Sequence, residues 1–272
     1  MPRGVSPLDE ARLQGRLWTP ALILPGLAGW WDSADLSSLS FGTGVSQWRD
    51  KSGNGRHFAQ ANGANQPVRS SLSGLSGLYF GGADQYMEVP AFLPPDGDFD
   101  VFLLVSGDGV AQPGAVTTIF DHGHGLAGNQ NFVFQTELGN TAPHTLFYIA
   151  PCNVGLTFEY SSSSGSVVGA APKVLHWKRQ AASYLEGNGV VEATRTLTAM
   201  RRNPRALGVG SASGSPAGQN WRGLVAEILY SSANLDQATI NKVHGYLAHK
   251  YGLTERFPAN HPYRNRPPLI GA

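Results

Sequence analysis

The sequence predicts an all-β fold: a two-sheet antiparallel jelly-roll sandwich with one C-terminal helix packed on it. Three observations lead there. Short segments rich in β-branched and aromatic residues recur between Gly, Pro, Asn and Asp. No helical pattern is interleaved with them, which argues against a βαβ parallel sheet. Charged residues make up only 14% of the 272-residue chain and glycines number 34, a mix that suits many short strands, tight turns and a neutral, hydroxyl-rich surface. Apolar residues, at 41%, are enough for the core of one large all-β domain or two small ones.

The chain divides into three parts. Residues 1–26 read as an N-terminal tether. Within it "SPLDEARLQGRLW" offers Ser6 as N-cap and Pro7 at the first helical position, and "WTPALILPG" then stops the helix with two prolines. Residues 27–253 carry the β signals: "FDVFLLVSG", "AVTTIFDHG", "QNFVFQTE", "HTLFYIAP" and "VGLTFEYSS". A hairpin follows in "ASYLEGNGVVEA", turning at Gly-Asn-Gly, and then two late strands in "RALGVGS" and "WRGLVAEILYS". Trp48 and Trp221 are expected in the core, and one of Trp30 and Trp31 should face out. "NLDQATINKVHGYLAHKYGL" is the clear helix. Asp236 is its N-cap, Leu235 and Ile240 a hydrophobic staple, and Ile240, Val243, Leu247 and Tyr251 its apolar stripe, with Gly252 at C′. Residues 254–272 form a Pro-rich strap or tether. Both ends carry apolar groups that need a covering surface. A second copy or a neighbouring protein is the expected cover, and the chain's own sandwich is the alternative.

"WRDKSGNGRHF" begins like a calcium loop, with Asp50, Ser52, Asn54 and Gly55 at the required spacing. Position 12 is Ala61, which offers no ligand oxygen, and the flanks alternate like strands. The stretch is therefore read as a tight turn in which Asp and Asn bond their own backbone and Gly supplies positive φ. Calcium is not supported by a complete motif, and no cofactor is expected.

The order "GWWDSADLSS", "WRDKSGNGRHF", "GLYFGGADQYMEVP", "YLEGNG", "WRGLVAEILY" and the closing "KYGL" helix resembles the concanavalin A-like lectin/glucanase jelly rolls, in their laminin-G-like and pentraxin-like branch. The lead-in "PLDEARLQGRLWTP" and the tail "FPANHPYRNRPP" resemble bacteriophage structural proteins that carry this domain. The resemblance implies a sandwich with loops clustered at its rim. It also implies three possible roles: glycan binding (sometimes through calcium), catalysis, or assembly.

The residues narrow these roles. The formal net charge of +1 gives no global field for nucleic acid, and no apolar run is long enough to span a membrane. The N-terminus shows no secretory signal, so synthesis in a host cytoplasm and residence on a virion surface are expected. Cys152 is the only cysteine, which excludes an internal disulfide. Glu137, Glu159, Glu186, Glu192 and Glu227 are scattered, without the clustered carboxylates of a laminarinase-like strand, and no nucleophile elbow stands out. Glu227 reads as a structural hydrogen-bonding group. The expectation is a non-enzymatic virion component, in a tail fibre, spike or head decoration, that binds host-surface polysaccharide. A ligand-free assembly module and a glycan-cleaving enzyme are the alternatives. The candidate ligand edge is "FDHGHGLAGNQNF", through Asp121, His122, His124, Asn129 and Asn131, which can hydrogen-bond sugar hydroxyls. Asp50 is a weak metal candidate and so is Asp121, beside His122 and His124, but neither place shows a full ligand set.

Overall fold

A computed structural model describes residues 17–108, 117–123, 131–136, 146–151, 161–166, 171–197, 199–211 and 219–270. In chain order the strands are β1 (Leu27–Asp32), β2 (Leu39–Phe41), β3 (Val45–Trp48), β4 (Phe58–Ala59), β5 (Val68–Leu72), β6 (Leu75–Gly81), β7 (Met87–Phe92), β8 (Phe99–Gly107) and β9 (Thr117–His122). They continue as β10 (Phe132–Thr136), β11 (Leu146–Pro151), β12 (Ser161–Ser166), β13 (Lys173–Arg179), β14 (Ala182–Gly187), β15 (Val190–Thr196), β16 (Arg205–Val209) and β17 (Arg222–Ser231). Helix α1 (Gln237–Lys250) follows and is the one α-helix among the described residues. None of the described helices is long and apolar enough to cross a membrane.

The strands form two sheets. The first runs β15-β14-β13-β8-β17-β6-β5, with β1 also paired to β17, and the second runs β12-β11-β10-β9-β16-β7-β4-β3-β2. Their pairings are antiparallel throughout. The main core lies between them.

Strand β8 shows why its sequence reads as a continuous apolar run. Phe99, Val101, Leu103 and Val105 enter the core between the sheets, while Phe102 and Leu104 enter a second core beneath α1. A sheet covered on both faces needs apolar residues at both parities. Strand β7 in the second sheet alternates instead: Met87 and Val89 are buried, and Glu88 and Pro90 face outward. At β7, therefore, the outer face of the second sheet is exposed.

The helix forms where its signals place it. The Asp236 carboxylate accepts the Thr239 N–H at 2.7 Å, and Leu235, Ile240, Val243 and Leu247 are buried against the first sheet. Gly252 at φ +67° and the Leu253 N–H bond to the Ala248 carbonyl at 2.7 Å close its C-terminus. The β14–β15 hairpin turns at Asn188 and Gly189, both at positive φ, which is the two-residue geometry that matches strand twist.

Other details depart from the sequence reading. Trp31 enters the main core and Trp30 the second one, so both are buried: the helix covers the face on which Trp30 was expected to meet solvent. The strand expected over "VGLTFEYSS" lies outside the described residues except for Ser161 and Ser162. These two open β12, a serine-rich strand that β propensity does not mark. The predicted helix before residue 17 and Cys152 also lie outside them. Pro20–Gly26 form a 3₁₀ turn. The described parts of both ends close on the chain's own helix, which is the alternative the sequence left open. Leu17 bridges Leu269, the Trp18 N–H bonds the Pro268 carbonyl at 2.9 Å, and Phe257 is buried under α1.

Candidate functional site on the outer face of the second sheet

Pairing registers set a row of residues across the outer face of the second sheet. Ser40 stands opposite Gln47, Gln47 opposite Ala59, and Ala59 opposite Glu88. Glu88 then faces Gly208, Gly208 faces Asp121, and Asp121 faces Val133. Met87 and Val89 flank Glu88 and turn into the core. Phe120 and the His122 ring do the same beside Asp121. Strand alternation therefore sends both carboxylates outward. Gly208 puts no side chain between them. Two strand spacings separate their backbones by about 10 Å. Glu88 is half-buried and Asp121 fully buried.

Beside Glu88 the surface sinks into an open depression lined by Ala59, Gln60, Ala61, Tyr86, Glu88, Val89, Pro90 and Ala206. The small side chains of three alanines make the hollow, and Tyr86 and Pro90 add rings to its wall. The wall is held in place before any ligand arrives. The Gln60 amide donates to the Tyr86 carbonyl at 3.1 Å and accepts the Asn62 N–H at 3.0 Å. The Tyr86 N–H donates to the Asn65 carbonyl at 3.2 Å. Sequence reasoning did not single out Tyr86 and Glu88. The signal was present in "YMEV", where alternation places Tyr and Glu on the face opposite Met and Val.

The described residues of the predicted ligand edge point in different directions. Asp121 joins the outer row. His122 faces the other way, into the core, within 4.5 Å of the Phe92 ring and near Phe132 and Tyr230. Its Nε2 bonds the Phe92 carbonyl at 3.0 Å, and burial pushes its pKa down to about 4, so it is neutral at physiological pH. Asn131 clamps the backbone of Asn203, donating to its carbonyl and accepting its N–H at 2.9 Å each. His124 and Asn129 lie outside the described residues.

Asp50 spends its carboxylate on its own turn. It accepts the N–H groups of Trp30, Ser52 and Arg56 at 3.0, 2.8 and 3.1 Å. Gly53 and Gly55 take positive φ. Glu227 is likewise saturated, accepting from Trp30 Nε1, the Tyr246 and Tyr251 hydroxyls and Lys250 Nζ at 2.7–3.0 Å. Complete burial, with Asp32 nearby, still holds its pKa above the usual carboxylate range despite Lys250.

No family model matches the chain, and no curated protein does. Solved structures do. A Trypanosoma rangeli sialidase in complex with sialic acid superposes with a TM-score of 0.59 at 14% identity, over 83% of this chain and 33% of the sialidase. The receptor-binding domain of botulinum neurotoxin D gives 0.60 at 9% identity, over 83% of this chain and 54% of that one. The serotype D ligand-binding domain in complex with N-acetylneuraminic acid gives 0.59 at 10%, over 81% and 51%. The chain thus spans about a third of the sialidase and half of the toxin domains. The comparison corrects the expectation of a non-enzymatic protein: sialidase structures carry this fold, so the missing glucanase motif does not set enzymes aside. What the chain shares with these proteins is the lectin-like β-sandwich fold.

Proposed function

We propose that this chain is a glycan-binding module whose ligand lies on the outer face of the second sheet, in the depression beside Glu88. The observation that carries the reading is the preset wall of Tyr86 and Gln60 around an alanine-lined hollow with one carboxylate in it. A sugar offers an apolar face for a ring and hydroxyls for a carboxylate or amide, and this hollow supplies both kinds of partner. The likeness in fold to domains solved with sialic acid adds support. The sequence resemblance at both termini supports a place on a bacteriophage particle, in a tail fibre, spike or head decoration, with host-surface polysaccharide as the ligand source. A glycan array with the full chain tests the reading. Tyr86→Ala and Glu88→Gln should each weaken binding at least tenfold, about 1.4 kcal/mol, without changing the melting temperature. Unchanged glycan binding in both variants would remove the site.

Glycan cleavage is the second reading, favoured by the Glu88–Gly208–Asp121 row. Two strand spacings, about 10 Å between backbones, come close to the separation of an inverting pair, roughly 6.5–9.5 Å. Sizing of polysaccharide after incubation separates the two readings. Shortened products that vanish in Glu88→Gln would establish cleavage, and intact polymer would leave binding alone.

A further inference from the structure

On the opposite face of the first sheet, beneath α1, lies a cluster unconnected with the glycan depression. His176 on β13 is fully buried between two carboxylates, with Nε2 2.8 Å from Asp100 on β8 and Nδ1 2.7 Å from Glu186 on β14. Its ring stacks on Phe102 at 4.1 Å. Above it α1 lowers His244, which is 1% exposed, with Nε2 3.6 Å from the same Glu186 oxygen. Neither nitrogen of His244 has a hydrogen-bond partner. A buried imidazole with two unmet polar atoms is costly, and native structures rarely keep one without use. His261, from the strap, stands with its ring 5.9 Å from that of His244, and its Nε2 is also unmet.

We propose that His176 Nδ1, Glu186 and His244 Nε2 bind one zinc ion that pins the C-terminal helix to the first sheet. The three ligand atoms already lie within 4.8 Å of one another. Tetrahedral zinc with bonds of about 2.1 Å sets its ligands about 3.4 Å apart, so sub-ångström to ångström side-chain shifts complete the site. Asp100 supplies the outer support such sites use. It accepts the remaining His176 N–H, and its other oxygen is fixed by the Leu235 N–H at 2.9 Å. His261 is the side chain placed to take the fourth position.

Each ring nitrogen of His176 faces a carboxylate oxygen, which only accepts, so both carry a proton when no metal is bound. Zinc takes the place of the Nδ1 proton, which leaves to solvent, and the cluster gains one positive charge, since Lys178 Nζ also stands 3.5 Å from Asp100. The site is closed and its ligands come from two strands and the helix, which suits a structural ion rather than an open catalytic one.

The test uses the full chain, freed of any affinity tag and stripped with chelator. Zinc alone is added while heat of binding, proton release and melting temperature are followed, and cobalt is used as a spectroscopic stand-in. The expected result is one zinc per chain, about one proton released, a raised melting temperature and the visible bands of four-coordinate cobalt. His244→Phe keeps the packing and should abolish the zinc-induced shift. Asp100→Asn should weaken zinc roughly 10- to 100-fold. If either variant fails to fold, the wild-type stoichiometry and cobalt spectrum decide alone. No zinc uptake by the wild type, a six-coordinate cobalt spectrum, or an unchanged shift in folded His244→Phe would overturn the proposal.

Discussion

At the scale of single residues, the decisive feature is where a polar side chain spends its hydrogen bonds. Asp50 looks like a ligand in the sequence, yet three backbone N–H groups occupy its oxygens. His122 looks like a surface group, yet the strand's parity buries it. That burial makes stability depend on pH. The unfolded imidazole takes up a proton near pH 6.5, whereas the folded one refuses it until about pH 4. Across that window the unfolded state binds more protons, so its population grows as pH falls and up to about 3 kcal/mol of stability is lost. His122→Phe should keep the aromatic packing and flatten this part of the profile, as measured by denaturant unfolding at pH 7 and pH 4.5. Equal slopes for the two proteins would show that His122 does not titrate as its burial requires.

At the scale of elements, α1 is joined to the sandwich by an apolar face and by one polar knot. Lys250 reaches Asp32 and Glu227 at 2.7 Å each, and Tyr246 and Tyr251 donate to Glu227 beside it. Glu227 sits on β17, so the knot ties the helix to an interior strand of the first sheet and, through Trp30, to β1. Removing the acceptor takes from four donors a buried carboxylate that they share, and leaves Lys250 only Asp32. Glu227→Ala should therefore cost about 3–5 kcal/mol. Glu227→Gln, which keeps one acceptor oxygen, should cost less. Urea unfolding of the two variants measures both, and a loss below about 1 kcal/mol in Glu227→Ala would mean that water replaces the carboxylate.

At the scale of the whole molecule, the sandwich has one face covered by α1 and another that is exposed at β7, and the termini contribute to the covering. The strap lies over α1: the Tyr263 carbonyl bonds His249 Nε2 at 2.8 Å, and Tyr263 and Pro268 pack so closely on Gly245 that a Cβ there would meet Tyr263 at 2.5 Å. A Pro-rich segment loses little entropy when it is ordered, which favours docking of this kind. Deleting residues 258–272 should leave a folded domain of unchanged oligomeric mass that melts about 4–8 °C lower, corresponding to roughly 2 kcal/mol. A smaller assembly by light scattering with an unchanged melting temperature would instead return the strap to its role as a tether between chains.

The sequence by itself determined the all-β class, the closing helix with its Asp236 and Gly252 ends, and the Asn-Gly hairpin. These rest on signals local to the chain: period, caps and turn chemistry act within a few residues. Only the tertiary structure decided that Trp30 is covered, that His122 points inward, that Tyr86 and Glu88 line a hollow, and that Asp100, His176, Glu186 and His244 meet beneath the helix. Each of those depends on which strands become neighbours and on what packs over them. That choice is made by long-range burial, and partners as far apart as Asp100 and His244 leave no trace in the spacing of the residues between them.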